Sequence, residues 1–282
     1  MFIPILHGGL GNNMFQLASI MSLSLQYGHK FGLECIPMPP PNHSSIDYSK
    51  SIFKNFTKYS LNNSNSNSNS NSNSNNSNNS NNSNNSNNKI IIKGERSDGS
   101  IECTDDLKDT NNVIKFRGYF QNEKNIRPFK DEVIKLFDYS NAQSAQGAQS
   151  SDYFLHIRRG DYVGNSYHEL NLDNYYKKSL ELINSASSGL VCNVLSNDIK
   201  WCEDYDLLKD YRMNFIHNPN EIDGLAIMKN ARLGGISANS TYSWWGLYLD
   251  IERQHLIIPN RYFPHAVKNE QYAFPECTII DV

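Results

Sequence analysis

Tyr153-Phe154-Leu155-His156-Ile157-Arg158-Arg159-Gly160-Asp161 reads as a strand that breaks into a charged loop. Tyr153 to Ile157 is the strand, an apolar run closed by charge and glycine. Two adjacent arginines at a strand end are costly unless they meet an anion or a carboxylate. A guanidinium grips phosphate oxygens as a planar fork and does not lose its charge. Neighbouring side chains on a strand point oppositely, so one of Arg158 and Arg159 is expected to face a ligand. His156 shares the face of Arg158. The competing reading is structural, with one arginine paired to Asp161.

Downstream of this loop, strands and helices alternate. Asp173 is the expected cap of a helix running to about Ile183. Strands are predicted at Val191 to Leu195, Met213 to Ile216, Gly235 to Ala238 and Leu256 to Ile258. Helices are predicted from Ile199 onward, over Glu221 to Ala231 and over Thr241 to Ile251. Upstream, Phe2 to Leu6 reads as a strand. Met14 to Tyr27 reads as a helix with Phe15, Leu17, Ala18, Met21 and Leu25 near one face and Gly28 as its stop. Phe31 to Ile36 reads as a strand ended by Pro37, Pro39, Pro40 and Pro41. Val113 to Phe116 is a further strand, and Pro128 opens a helix to Phe137. The alternation implies an α/β fold with parallel sheets wound on both faces, whose ligands bind at the carboxyl ends of strands where the order reverses.

Two soft stretches interrupt the pattern. Residues 62–88 are 27 residues of Asn and Ser alone, with nothing to offer a core, and read as a disordered insertion in a surface loop. Residues 139–151 are small and polar and read as a linker. The expected units are therefore residues 1–140, carrying the insertion, and 152–282, binding the ligand. The chain of 282 residues has a formal net charge of -3, which excludes a nucleic-acid binder relying on overall positive charge. The five cysteines are odd in number and widely spaced, without a CxxC pair, and read as reduced thiols. No apolar run approaches the ~20 residues that cross a bilayer. The N-terminus moves into a glycine loop without a basic leader, and the tract carries N-x-S acceptors. A soluble, cytoplasmic protein with no membrane span is the expectation.

Three more loops follow predicted strands. His7-Gly8-Gly9-Leu10-Gly11-Asn12-Asn13 opens a helix, where glycines let backbone approach a ligand and the helix N-terminus favours an anion; a tight turn is the competing reading. In Leu195-Ser196-Asn197-Asp198 the acidic residue suits a ribose hydroxyl or a helix cap equally. Ala238-Asn239-Ser240-Thr241-Tyr242-Ser243-Trp244-Trp245-Gly246 offers small polar side chains and free helix amides to an anion, with Trp244 and Trp245 expected in the core. Together these loops describe a diphosphate-bearing donor between two α/β halves. No P-loop, zinc spacing or paired acidic motif accompanies them, so arginine and backbone amides rather than a metal would meet the leaving charge.

These residues resemble a known family. Gly8 to Gln16, Gly118-Tyr119-Phe120-Gln121-Asn122-Glu123-Lys124, His156 to Val163 (HxRRGDYV) and Asn239 to Trp245 (NST(F/Y)SWW) are similar, in order, to the motifs of the α-1,2-fucosyltransferases, glycosyltransferase family 11. The resemblance implies two Rossmann-like domains in a glycosyltransferase-B-like arrangement. It implies inverting, metal-independent transfer of L-fucose from GDP-fucose to a galactoside, at the 2-hydroxyl of a β-galactose unit. Its partners would be a nucleotide-sugar donor and a glycan acceptor. By further similarity to the α-1,6 and protein O-fucosyltransferases, Arg158 would clamp the β-phosphate and His156 and Asp223 would contact guanine. Asp198 would meet the nucleoside, and Ser240, Thr241 and Ser243 the phosphates. Asn12 would reach the pyrophosphate from the other half, with Gly9, Gly11 and Asn239 completing the donor site. Asp161 is the expected general base, with Glu169 the alternative. The chain departs from the family at Gly11-Asn12-Asn13, where Gly-Asn-Gln is usual, and at Ser196-Asn197-Asp198, where Ser-Asp-Asp is usual. Asp223 aligns only with a one-residue gap. The bacterial-type members, without a membrane anchor, are the better comparison. Transfer from another GDP-sugar and non-catalytic glycan binding on the same fold are the competing functions.

Overall fold

The computed structural model describes residues 1–38, 46–61, 89–140, 151–187, 189–266 and 270–282. The Asn/Ser tract and most of the predicted linker lie outside these residues.

The deciding strand, β4 (Tyr153–Ile157), is buried along its whole length. It lies inside a six-stranded parallel sheet with β5 (Val191–Ser196), β6 (Arg212–Phe215), β7 (Gly234–Ile236), β8 (His255–Pro259) and β9 (Thr278–Ile280), in the order β6-β5-β4-β7-β8-β9. The chain winds outward from β4 through β5 to β6, then returns to the other side of β4 and winds the opposite way. The strand order therefore reverses at β4 and β7, which places the crevice beyond their carboxyl ends.

Alternation along β4 sorts its neighbours. Tyr153, Leu155 and Ile157 enter one apolar cluster with Tyr175, Tyr176 and Leu180 of α3 (Asp173–Ala186). Phe154 enters a second cluster, on the opposite face, with α5 (Glu221–Asn230) and α6 (Thr241–Tyr248). That second cluster continues without a break into the N-terminal half. There β1 (Phe2–Pro4), β2 (Ile90–Lys93) and β3 (Val113–Phe116) form a parallel sheet in the order β1-β3-β2. The 18-residue α1 (Leu10–Tyr27) packs on it and ends at Gly28, in the left-handed region at φ 69° as expected of a stop.

α1 and α6 meet at their N-termini. A Cβ on Gly11 would lie 2.7 Å from the Tyr242 nitrogen and from Thr241 Oγ1, so no larger residue fits there. Trp245 Nε1 donates to the Gly11 carbonyl at 3.1 Å, and the Phe15 ring lies tilted against Trp244 with centroids 4.5 Å apart. Both tryptophans are fully buried, as read from the sequence.

Several boundaries differ from expectation. α1 begins at Leu10 rather than Met14, because its first turn is held by α6 rather than by local propensity. β1 ends at Pro4, not Leu6. Phe31 to Ile36 forms only isolated bridges, Phe31 with Phe2 and Leu33 with Ser60. β2 and β9 were not foreseen. The helix expected from Pro128 is one 3-10 turn, Arg127–Phe129, followed by the short α2 (Lys130–Ile134). Asp173 does not cap α3. It is the first helical residue, and Asn171 Oδ1 accepts from its N–H at 2.9 Å. α6 stops at Tyr248 rather than Ile251, because Arg253 takes the carbonyls of Gly246 and Leu247 at 2.7 and 2.9 Å.

Candidate active site

A cavity of about 1000 Å³ opens at the reversal point, walled by both halves. All five of the stretches singled out in the sequence contribute to it: Gly9 to Asn12; Tyr119 and Gln121; His156, Arg158 and Gly160 to Tyr162; Leu195 to Asn197; and Asn239 to Tyr242. The site is thus the convergence of loops that lie far apart in the chain.

Arg158 continues the face of β4 that carries His156, and it is the only lysine or arginine lining the cavity among the described residues. Its Nη2 donates to Asp161 Oδ1 at 2.6 Å, and its guanidinium lies over the Tyr162 ring at 5.3 Å. Its Nε is buried without a partner. Arg159 points the other way. Its guanidinium covers the Trp201 ring at 3.8 Å, and its Nε donates to Asp198 Oδ2 at 3.1 Å. The opposed faces of adjacent strand residues account for this split.

Gly160 makes the bend that turns Asp161 back toward Arg158. It has φ +37°, and a Cβ there would meet Asn197 Nδ2 at 2.0 Å. Asn197 Oδ1 in turn accepts from the Arg159 N–H at 2.9 Å. The loops after β4 and β5 therefore brace each other.

His156 is only 3% exposed and its Nδ1 has no partner. Burial, helped by the neighbouring Arg158 charge, pulls its pKa down to about 3, so the imidazole is neutral. Tyr242 meets it edge-on at 5.6 Å.

The α6 turn is held by its own polar side chains. Ser240 is the N-cap and accepts from the Tyr242 N–H at 3.4 Å. Ser243, fully buried, accepts from the Ala238 N–H at 3.1 Å and donates to the Ser240 carbonyl at 3.4 Å. Asn239 Nδ2 donates to the carbonyls of His168 and Tyr262, both at 3.0 Å, and so ties the 160s loop to the segment after β8.

A chain of hydrogen bonds crosses the cleft. Thr241 Oγ1 donates to Asn12 Oδ1 at 3.1 Å, Gln121 Nε2 donates to the same oxygen at 2.8 Å, and Tyr272 donates to Gln121 Oε1 at 2.6 Å. Asn12 thereby bridges the two halves. Behind it, Gln16 accepts from the His7 N–H and donates to the Gly118 carbonyl, both at 3.0 Å.

Of the residues expected at the site, Gly9, Gly11, Asn12, His156, Arg158, Asp161, Asn239, Ser240 and Thr241 line the cavity. Asp198, Asp223, Ser243 and Glu169 do not. Asp198 pairs with Arg159, and Asp223 Oδ2 accepts from Asn220 Nδ2. Glu169 Oε2 accepts from the Gly164 N–H at 3.0 Å, inside its own loop. Glu221 lines the cavity unforeseen, as does an aromatic wall. In that wall Tyr162 stacks on His168 at 4.7 Å, and Tyr167 lies 5.3 Å from Phe263. Of these, only Tyr162 lay within a stretch the sequence had marked.

The arrangement presents one fixed guanidinium, a helix N-terminus and a neutral imidazole to one space. It suits a bound diphosphate.

The chain is similar to several known proteins. The family model for "Glycosyl transferase family 11" matches residues 98–276. An alpha-1,2-colitosyltransferase of Escherichia coli is 31% identical over 179 residues, covering 58% of this chain and 61% of that protein. The O-antigen biosynthesis glycosyltransferase WbnK of Escherichia coli is 28% identical over 164 residues, 51% of this chain and 54% of that protein. The matches thus span little more than half the length of these relatives. Among solved structures, POFUT1 in complex with GDP aligns over 90% of this chain and 94% of its own, with 13% identity and a TM-score of 0.48. A mutant of Arabidopsis thaliana FUT1 in complex with GDP aligns over 88% and 68%, with 10% identity and a TM-score of 0.42. With its family-specific segment covering well over half of its residues, the chain belongs to glycosyltransferase family 11.

Proposed function

We propose that the chain is an inverting glycosyltransferase that moves L-fucose from GDP-fucose to the 2-hydroxyl of a β-galactose unit. The observation that carries this reading is the gathering of Arg158, the α6 N-terminus and Asn12 around one cavity at the sheet's reversal point. A sugar diphosphate bound there would have its charge met by the guanidinium and by helix amides, without a metal.

In the proposed reaction the acceptor oxygen attacks C1 of the fucose while the bond from C1 to the β-phosphate oxygen breaks. The electrons of that bond leave with GDP, and the single displacement inverts C1. Arg158 grips hardest as charge collects on the departing diphosphate. We assign the acceptor proton to Asp161. Arg158 holds its Oδ1, and the side chain is 60% exposed, which leaves Oδ2 for the hydroxyl.

A second reading is favoured by the E. coli colitosyltransferase, the more similar of the two relatives. Colitose is fucose without its 3-hydroxyl, so transfer from GDP-colitose would need only a small change in the sugar pocket. The five free thiols fit a reducing compartment, and we propose that the enzyme acts in the cytoplasm. No helix among the described residues is long and apolar enough to cross a membrane.

The test is transfer to a panel of β-galactosides from GDP-fucose, GDP-colitose and GDP-mannose, with product linkage read by NMR. Fucosylation at O2 is expected. Transfer from GDP-colitose alone would establish the second reading. GDP binding without transfer from any donor would overturn both in favour of a glycan-binding protein.

A further inference from the structure

Among the described residues only two phenylalanine, tyrosine or tryptophan side chains are exposed, Tyr119 at 40% and Tyr167 at 59%, and both line the cavity. An exposed ring forgoes burial that the other rings obtain in whole or in part. Two of them in one cleft mark a surface kept open for a ligand. Both are fixed from behind. Tyr119, from the N-terminal half, packs on the His7 ring at 4.5 Å, and its N–H donates to Glu95 Oε1 at 3.0 Å. Tyr167, from the C-terminal half, meets His168 edge-on at 4.9 Å and Phe263 at 5.3 Å, and its N–H donates to Asn165 Oδ1 at 3.0 Å. Rings already held this way lose little freedom when a ligand settles on them.

Tyr167 is the outer end of a ring stack that starts at the clamp. The Tyr162 ring carries the Arg158 guanidinium at 5.3 Å and stacks on His168 at 4.7 Å, and Tyr167 stands against His168. Asp161, which holds Arg158, immediately precedes Tyr162. Burial pulls the His168 pKa below its ordinary value, so that ring is uncharged at neutral pH. The outer part of the stack therefore offers faces without charge. A diphosphate gains nothing there, whereas a neutral ligand with an apolar face does. The C–H groups of a pyranose are weakly positive and suit the negative face of an aromatic ring. In β-galactose the axial 4-hydroxyl leaves C3–H, C4–H and C5–H together on the opposite face, while the equatorial 2-hydroxyl projects from the ring edge. In glucose the C4–H turns to the other face and breaks that patch.

We propose that Tyr167 is the acceptor platform, carrying the C–H face of a terminal β-galactose, and that Tyr119 takes the sugar unit that follows it. The assignment rests on the acceptor part of the reading above. Tyr167 receives the terminal unit because the ring stack joins it to Asp161, where the attacked hydroxyl loses its proton. Tyr119 belongs to the other half and meets a unit further from that hydroxyl. The acceptor is then at least a disaccharide, and it crosses from one wall of the cleft to the other.

Saturation-transfer NMR in the presence of GDP, and initial rates with whichever GDP-sugar is transferred, test this on the full chain. The probes are methyl β-galactoside, methyl β-glucoside and lactose. The wild type is expected to bind methyl β-galactoside about tenfold more tightly than methyl β-glucoside. Tyr167→Ala is expected to raise KM for methyl β-galactoside about tenfold at unchanged Kd for GDP. Tyr167→Phe should recover most of that loss and Tyr167→Leu little of it, because the ring and not its bulk makes the contact. Tyr119→Ala should raise KM for lactose more than for methyl β-galactoside. An unchanged acceptor KM in Tyr167→Ala, equal rescue by Phe and Leu, or equal binding of the two methyl glycosides overturns the platform and leaves the transferase reading standing. Equal effects of Tyr119→Ala on both acceptors overturn its part. Should the wild type transfer no sugar, binding alone decides. Galactoside binding that Tyr167→Ala abolishes then keeps the platform and overturns the transferase reading, and a wild type that binds no galactoside overturns the platform.

Discussion

Arg253 offers a perturbation whose size can be worked from the structure. Its guanidinium donates to six backbone carbonyls: Met228, Lys229 and Ala231 at the end of α5, Gly246 and Leu247 at the end of α6, and Asp250 between. The distances run from 2.7 to 3.4 Å, and burial pulls the pKa down to about 10, leaving the group charged at neutral pH. One side chain thus closes the C-termini of both helices whose N-termini face the cavity. Arg253→Met keeps most of the stem but removes every donor. Each carbonyl left dry would cost ~1–3 kcal/mol, and the lost cation at two helix C-termini adds ~0.3–2 kcal/mol each. The residue is only half-buried, so water replaces some partners, and a net loss of about 3–4 kcal/mol is expected. For a protein of this size that lowers the melting temperature by roughly 10 °C. Arg253→Lys keeps the charge and fewer donors, and should recover about half of the loss. Differential scanning calorimetry of the three proteins reads this directly. A melting temperature of Arg253→Met within about 2 °C of the wild type would refute the argument.

Arg158→Lys keeps charge but loses the planar fork, and should lower kcat by about 10²–10³-fold with a smaller change in KM for the donor. Near-normal turnover would sink the clamp. Arg159→Lys should instead act through stability, since it weakens the contacts to Trp201 and Asp198; loss of turnover at unchanged melting temperature would reverse the two roles. His156 also makes stability depend on pH. Its folded pKa of about 3 lies below the ordinary 6.5, so below pH 6.5 the unfolded chain binds a proton that the folded one does not. Stability is therefore complete above pH 6.5 and falls by about 1.4 kcal/mol per pH unit from there toward pH 3, or about 2 kcal/mol by pH 5. Urea unfolding of the wild type and His156→Gln at pH 5 and 7 should show a steeper loss in the wild type, and equal losses would disprove it. Deleting residues 62–88 behind a short Gly/Ser joint should leave transfer activity within a few-fold, since Asn and Ser alone offer a core nothing. An insoluble product would contradict this.

What could be read in the sequence follows from the range of the forces involved. β4 to β8 were legible because each is a short apolar run bounded by turn residues. The direction of Arg158 against Arg159 was legible because it needs only strand alternation. The first turn of α1 was not, since Gly11-Asn12-Asn13 has poor helix propensity and is held by residues 229 and 234 positions away. Glu221 was hidden because an acidic residue in a first helical turn looks like a partner for the helix dipole. Its cavity-facing place depends on Tyr48 and Tyr242, which no local pattern joins to it. Asp198 was readable as a cap or a ligand group, and the cation that claims it sits on another strand end.

The apolar cluster that runs unbroken from β1 to α6 governs how the cleft can move. Phe15, Trp244 and Trp245 sit in the seam, all fully buried. An aromatic side chain buries ~150–250 Å², so wetting even half of that seam would cost roughly 6–9 kcal/mol at ~25 cal/mol per Å². Wholesale separation of the two lobes is therefore a rare excursion, populated at less than about one part in 10⁴. A donor of the proposed kind would enter a groove whose walls already stand in place. Little of its binding energy would go into drawing lobes together.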